Sequence, residues 1–374
     1  MKFTKLSLVA MLAVSAAFAG ESSISGDAKV FYGTDDVGEH DMFNKSGAYG
    51  NAALSLDYTK KVSDNITLNA GATGISTLGL EGTLVGATWA DHALEDRVWL
   101  DIANVTATFG KTTAVIGRQK LDTPLAFTET WNIVENTFDA FTFVNTDLPE
   151  TTLVGSLVTR ANGGEFTNFQ GGMGDLGDGI YTAGIVTKLI PSATTQVWYY
   201  DFANNDDKIW AQADFDVAKG ITIGAQYGSV MANEGEDSTF MAVKAGYEAD
   251  KLSAYAAFSQ ADADGASNFA NYGGFGGSPA YTEAWWNFGF VTSPDATTMA
   301  VGAAYDMGKV SLGAQFTTVT NDSNAAGEMD ELTLTADTSV AGADVSLALI
   351  NTASDDKGLD GNTVQVYLTL PFSL

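Results

Sequence analysis

The stretch "AKGITIGAQYG", residues 218–228, decides how the rest of the chain is read. Its first three residues are turn formers. Behind them Ile221, Ile223, Ala225 and Tyr227 alternate with Thr222, Gly224, Gln226 and Gly228. Alternation at period two sends successive side chains to opposite faces of a strand. One face of this strand is apolar, and the other is glycine and uncharged polar groups. "NAALSLDY" (51–58), "ITLNAGAT" (66–73) and "VSLGAQFT" (310–317) repeat the scheme, as do "DVSLALI" and "TVQVYLTLPF" near the end.

A soluble sandwich alternates in the same way, so the connections have to decide. One set is tight: "KKVSDN", "GK" after Phe109, "LPE", "PSA", "AKG", "ADK", "MGK" and "AGA". The other set is longer and rich in Gly, Asp and Asn: 33–46, 79–96, 119–137, 161–178, 230–238, 261–296, 320–329 and 353–362. Short and long connections in turn, between strands of about ten residues, are the rhythm of an all-β transmembrane antiparallel β-barrel with short periplasmic turns and long outer loops. The count comes to about 18 strands, with both termini on the periplasmic side. Residues 97–109 break the alternation near Ala103-Asn104, which predicts a bulge. Residues 285–291 could form a further strand, and are read as loop because that keeps the parity.

No run of 18 or more apolar residues follows the N-terminus, so no spanning helix is predicted. In hydrocarbon every backbone N–H and C=O must be paired internally, and a closed barrel is the remaining way to do so. The first residues, "MKFTKLSLVAMLAVSAAFA" (1–19), read as a secretory signal peptide with Lys2 and Lys5, an apolar run and a small-x-small end. Residues 20–374 then form one barrel domain.

The chain carries 46 acids against 18 bases, a net charge of −28, and no cysteine. Only Arg97, Arg118 and Arg160 are arginines, and no basic cluster exists that could neutralise phosphates, so nucleic acid is excluded as a partner. The two histidines, His40 and His92, sit in outer connections beside Asp41 and Asp91 as ordinary charged-loop neighbours. No nucleophile elbow, zinc-protease motif or P-loop appears, and no enzyme is predicted. "DADG" from Asp262 and "DDKGLDGN" from Asp355 lack the acid spacing of a calcium loop, so neither a metal site nor a cofactor is predicted. Aromatic residues at strand ends (Tyr32, Tyr58, Phe109, Trp198, Tyr199, Tyr200, Phe215, Tyr227, Tyr247, Tyr305, Tyr367 and Phe372) fit interfacial girdles.

One connection departs from the rest. "VIGRQKLDTPL" (115–125) runs into an acidic, Trp-containing segment and then "NTFDAFTF" (136–143). Together with the Gly-rich "NYGGFGGSPAYTEAWW" (271–286), this resembles the Opr family of Gram-negative outer-membrane porins. The resemblance spans nearly the whole chain. It implies an 18-stranded barrel, often a homotrimer, in a bilayer bearing lipopolysaccharide, whose third outer loop folds inward as a constriction loop. In this sequence that loop is Gln119 to Thr137. The family pattern of a terminal aromatic is not met, because the chain ends "LPFSL" with Phe372 two residues short of the end.

On that likeness Arg118 points into the lumen. Parity does not settle it, because Val115 and Ile116 compete for the lipid face. A lipid-facing arginine at mid-depth would cost about 2–4 kcal/mol, which favours the lumen. The alternative is a structural ion pair with a loop acid. Asp122, Glu129, Glu135 and Asp139 are the acids expected to ring the constriction and concentrate cations, with Lys120 and Arg160 as cationic counterparts. Asp57, Asp101, Lys188, Asp214 and Lys244 fall on the polar parity and are expected to face water in the barrel. The function expected is passive diffusion of small hydrophilic solutes and ions, cations above all. The rivals are a channel recognising small carboxylates or amino acids through Arg118, Lys120 and Arg160, and a closed-lumen structural or adhesive barrel.

Overall fold

The period-two segments become strands, and the strands close on themselves. The computed structural model describes residues 22–374 apart from 87–95, 163–174, 204–205, 266–268, 275, 322–326 and 357, with the backbone alone for 175–178. The signal segment 1–19 lies outside the described residues. Eighteen strands form a single antiparallel sheet. Its first strand, Ser22–Asp35, pairs with Ala48–Ser63 on one side and with the last strand, Gly361–Ser373, on the other. No edge is left with unpaired backbone, the condition for sitting in hydrocarbon.

The burial pattern is inverted relative to a soluble protein. Leu54, Leu56, Ile223, Val243, Val301 and Leu334 are exposed on the outer wall, while Asn51, Thr73, Gln212, Gln226, Thr333 and Gln365 are buried on the inner one. Apolar groups outside and polar groups inside belong to a wall between lipid and a polar lumen. Of the predicted girdle residues, Tyr58, Phe109, Tyr199, Phe215, Tyr227, Tyr247 and Tyr305 are exposed on the outer wall. Trp198, Tyr200 and Tyr367 instead join apolar clusters inside the barrel.

The rhythm of connections holds with one omission. Eighteen strands need a ninth outer connection, and it is 203–206, between strands Ala193–Phe202 and Asp207–Ala218, too short to register as a loop in the sequence. The bulge in strand Arg97–Phe109 falls at Asp101 rather than at Ala103-Asn104: Gly71 pairs with Ile102 and Ala72 with Leu100, leaving Asp101 the extra residue. Residues 285–291 do lie in a loop, which ends in a short 3-10 turn at Phe290–Thr292.

The apolar core is not a layer between sheets. It forms where two outer connections, 120–136 and 262–296, fold into the barrel. One cluster joins Leu121, Leu125, Phe138, Tyr200, Trp210 and Phe269. A second joins Ile133 and Val134 of the connection to Phe31, Ala53 and Ile75 of the wall.

Candidate functional site

The constriction is built from the third outer connection upward. After strand Thr112–Gln119 the chain turns inward, and Asp122–Thr123 pairs with Ala126–Phe127 in a small hairpin. Pro124, with its fixed φ, occupies the first corner of that turn. The Leu125 N–H donates to the Tyr200 hydroxyl at 3.1 Å. Ile133 and Val134 seat the returning limb on the wall around Phe31. The connection therefore crosses the lumen between two apolar anchors.

Sequence reasoning missed the second half of the constriction. Residues 262–296 also fold inward and are stitched to the third connection. The Asn271 side chain accepts from the Phe127 N–H at 2.8 Å and donates to the Phe127 carbonyl at 2.7 Å, as a neighbouring strand would. It also donates to Glu129 Oε1 at 2.8 Å, and the Tyr272 N–H donates to the Leu125 carbonyl at 2.8 Å. Gly273, at φ +78°, and Gly274 permit this approach: a Cβ on the first would overlap Ala161, and on the second the Glu129 carboxylate. The glycine density of "NYGGFGGSP" was the available signal, since glycine marks places where another backbone comes close. Replacing Gly274 by valine is expected to push the two connections apart, read as a larger and noisier single-channel conductance from a barrel that still folds.

Glu331 and Lys208 are among the wall residues that hold the second connection down. Glu331, which is 1% exposed, accepts from the N–H groups of Trp285 at 2.7 Å, Trp286 at 3.0 Å and Asn287 at 2.8 Å. The Asn287 side chain adds a bond at 2.9 Å. Lys208 sits among the rings of Phe202, Phe269 and Tyr272, its ammonium 5.6, 5.7 and 5.0 Å from their centres. Such contacts each contribute about 0.5–2 kcal/mol.

The charged residues named from the sequence take four different places. Lys120 and Glu135 form an ion pair at the two ends of the third connection. Burial works to discharge both, yet each holds the other ionised, the lysine above and the carboxyl below its ordinary value. Asp122 lines the lumen beside them. Asp57 and Asp101 face inward across Gly71, where a Cβ would lie 2.7 Å from each carboxylate, and Thr73 donates to Asp101 at 2.5 Å. Asp214 and Lys244 also face the lumen, 3.9 Å apart, with the Tyr281 hydroxyl donating to Asp214 at 2.7 Å.

Glu129 is a fastening inside the constriction. It is 2% exposed and accepts from the Trp131 indole N–H at 2.7 Å as well as from Asn271. Lys188 lies beyond the end of its strand, exposed in the turn after Thr187, and not on the lumen wall.

Arg118, Asp139 and Arg160 are not in the lumen. Arg118 pairs in register with Ala103 and Asp139 on the same face as exposed Ile116 and Phe141, whereas Val115 and Gln119 face inward. The lumen expectation failed because it priced a lone arginine against lipid. Here Arg118 gives Asp139 two bonds, at 2.8 and 3.2 Å, and a third to the Leu100 carbonyl at 2.7 Å. Arg160 stands 3.9 Å from Asp139, and Asn162 donates to that carboxylate at 3.1 Å. Among the histidines, His40 is bonded to Asp35 at 2.7 Å, and His92 lies outside the described residues.

From the inward connections to the turns at Gly220 and Asp250 runs a cavity of about 2450 Å³. Its lining holds eleven carboxylates and four lysines. One of the acids is Glu283, which takes bonds from the Ser278 N–H at 2.7 Å and the Ser278 hydroxyl. Burial pushes its carboxyl up to about 8 against the opposing effect of Ser278, with Glu129 and Glu331 adding to the rise. It is therefore neutral below that pH and negative above it. Cation preference is expected to rise as pH passes through about 8, with the step absent in Glu283→Gln. Reversal potentials across a pH series check this.

No protein-family model and no curated protein matches the chain. Solved structures do. Acinetobacter baumannii OccAB1 shares 15% identity at a TM-score of 0.79, covering 96% of this chain and 98% of that one. A. baumannii OccAB4 shares 14% at 0.77, over 95% and 99%. Pseudomonas aeruginosa OpdK, solved with vanillate, shares 14% at 0.76, over 95% and 99%. At such identities the likeness is one of architecture, and it is nearly end to end. The chain has the 18-stranded barrel fold of the Occ and Opd outer-membrane porins.

Proposed function

We propose that the protein is an outer-membrane channel for passive diffusion of small hydrophilic solutes and ions, with a preference for cations. The observation that carries the preference is the lumen lining, eleven carboxylates against four lysines. Fixed charge of one sign on low-dielectric walls concentrates counter-ions. The two inward connections set the size limit. Recognition of small carboxylates, for which OpdK's vanillate is a precedent in that protein, has less support here. Two of the three cations that reading relied on, Arg118 and Arg160, stand on the outer wall. The proposal places the barrel in the Gram-negative outer membrane, among lipopolysaccharide, as a homotrimer.

Planar-bilayer recording of the purified barrel across a salt gradient tests this. Discrete conductance steps with a cation-selective reversal potential are expected. Silence from folded protein would favour a closed, adhesive barrel. An anion-selective potential would overturn the account of the lining.

A further inference from the structure

The aromatic side chains of the two inward connections meet at the narrowing. Trp131 of the first and Phe288 of the second stand with ring centres 4.9 Å apart, and both line the cavity along with Trp285 and Trp286. We infer that Trp131, Trp285 and Trp286, each bonded to a buried carboxylate, form a site for a quaternary ammonium ion. As a transported solute that ion rests on the channel proposed above, but its binding does not rest on conduction.

The two carboxylates serve the rings differently. The Trp131 indole N–H donates to Glu129 at 2.7 Å, and an anionic acceptor there polarises the indole and enriches its face in electrons. Glu331 takes the backbone N–H groups of Trp285 and Trp286, which fixes where those two rings leave the chain. Its bonds from Asn287 also come from neutral amides, so its negative charge is left in place. The charges of Glu129 and Glu331 both bear on Glu283, which places them in one small region of the constriction. Electron-rich faces backed by negative charge attract a cation.

The class of ligand follows from what the site withholds. Glu129 and Glu331 are buried, and their oxygens already accept from Asn271, the Trp131 indole and the backbone amides. They act through their field and have little to offer a hydroxyl or an N–H. A quaternary ammonium has no N–H to satisfy, is weakly hydrated and has an apolar surface. It therefore gains from the rings and from the charge. A hydrated inorganic cation gains from the charge alone. A neutral sugar gains from the rings alone and brings hydroxyls that must find partners.

The chain already seats ammonium groups of its own in this way. Lys244 holds its ammonium 4.1 Å from the centre of the Tyr281 ring, with the Asp214 carboxylate 3.9 Å away. Lys208 sits among the rings of Phe202, Phe269 and Tyr272. Ring and carboxylate are the same two partners that the tryptophans of the constriction combine.

The test compares choline with its uncharged isostere dimethylbutanol, in which carbon stands for nitrogen, as blockers of potassium current through the purified barrel at neutral pH. Choline is expected to block at a concentration lower by about tenfold or more. Trp285→Leu and Trp286→Leu keep the backbone bonds to Glu331 and remove the ring faces. Each is expected to raise the half-blocking concentration of choline about fivefold and that of the isostere less than about twofold. Choline no better than the isostere, or choline block unchanged in both leucine variants, would overturn the site. So would a block by maltose that the same variants relieve. Should a leucine variant not yield a heat-modifiable folded barrel, the wild-type comparison decides. If the folded barrel is silent, saturation-transfer NMR of the same two probes makes the comparison without current. The salt-gradient potential is recorded in parallel. Cation selectivity without preference for choline leaves the channel reading standing and removes the site. A silent or anion-selective barrel that binds choline does the reverse.

Discussion

Glu331→Gln is expected to release the connection 262–296 from the wall and to give larger, noisier channels. The native carboxylate takes three consecutive backbone N–H groups and one side-chain amide. Bonds to a charged acceptor contribute about 1.5–3 kcal/mol each, roughly twice their neutral counterparts. Glutamine keeps one acceptor oxygen and turns an NH₂ toward groups that are themselves donors. A loss of about 3 kcal/mol shifts the ratio of docked to undocked loop roughly a hundredfold. Trp285 and Trp286 line the cavity and move with that loop, so the opening is felt at the narrowing itself. Single-channel conductance and current variance report it directly. Values identical to wild type would show that the other contacts, those of Gln226, Gln315, Lys208 and Asn271 among them, hold the loop without Glu331.

Lys120 and Glu135 are expected to shift selectivity in opposite directions when each is neutralised alone. They are joined as an ion pair, so Glu135→Gln leaves an uncompensated ammonium at the constriction and Lys120→Gln an uncompensated carboxylate. At about 5 Å in a water-like dielectric one unit charge is worth about 0.8 kcal/mol, roughly fourfold in local cation concentration. The first variant should lower the cation-to-anion permeability ratio by about that factor and the second should raise it. Reversal potentials in a salt gradient measure both. A double variant near wild type would confirm that the pair acts as a unit. Equal shifts in one direction would mean the loop had moved and that charge was not the cause. Neutralising Glu129, which the sequence places with these acids, is a different experiment, because it unfastens Trp131 and Asn271.

The wall was legible because a strand's period of two is local. Ile221 and Thr222 declare their faces without knowledge of anything else in the chain, and the register in which they pair follows from the turn at Gly220. Asp57, Asp214 and Lys244 were assignable to the polar face for the same reason. Arg118 was not, because Val115 and Ile116 just before it are both apolar and parity gave two answers. What broke the tie was a cost that Asp139 removes, and the pairing of residues 21 apart across a folded-in loop cannot be read from either one alone. The second inward connection escaped for a related reason. Its hydrogen bonds to the first are made by backbone and by Asn271, and neither leaves a periodic trace.

The stitch between Phe127 and Asn271 joins residues 144 apart in sequence. Contacts so remote form late, after the intervening strands have been laid down, because the entropy of closing a long loop must be met before any such contact contributes. The seam that closes the barrel, from Ser25 to Ser373, spans more of the chain still, so it too waits for the last strand. Closed wall and size limit are therefore completed in the same final stage, and a chain cut short of its last strand is expected to have neither.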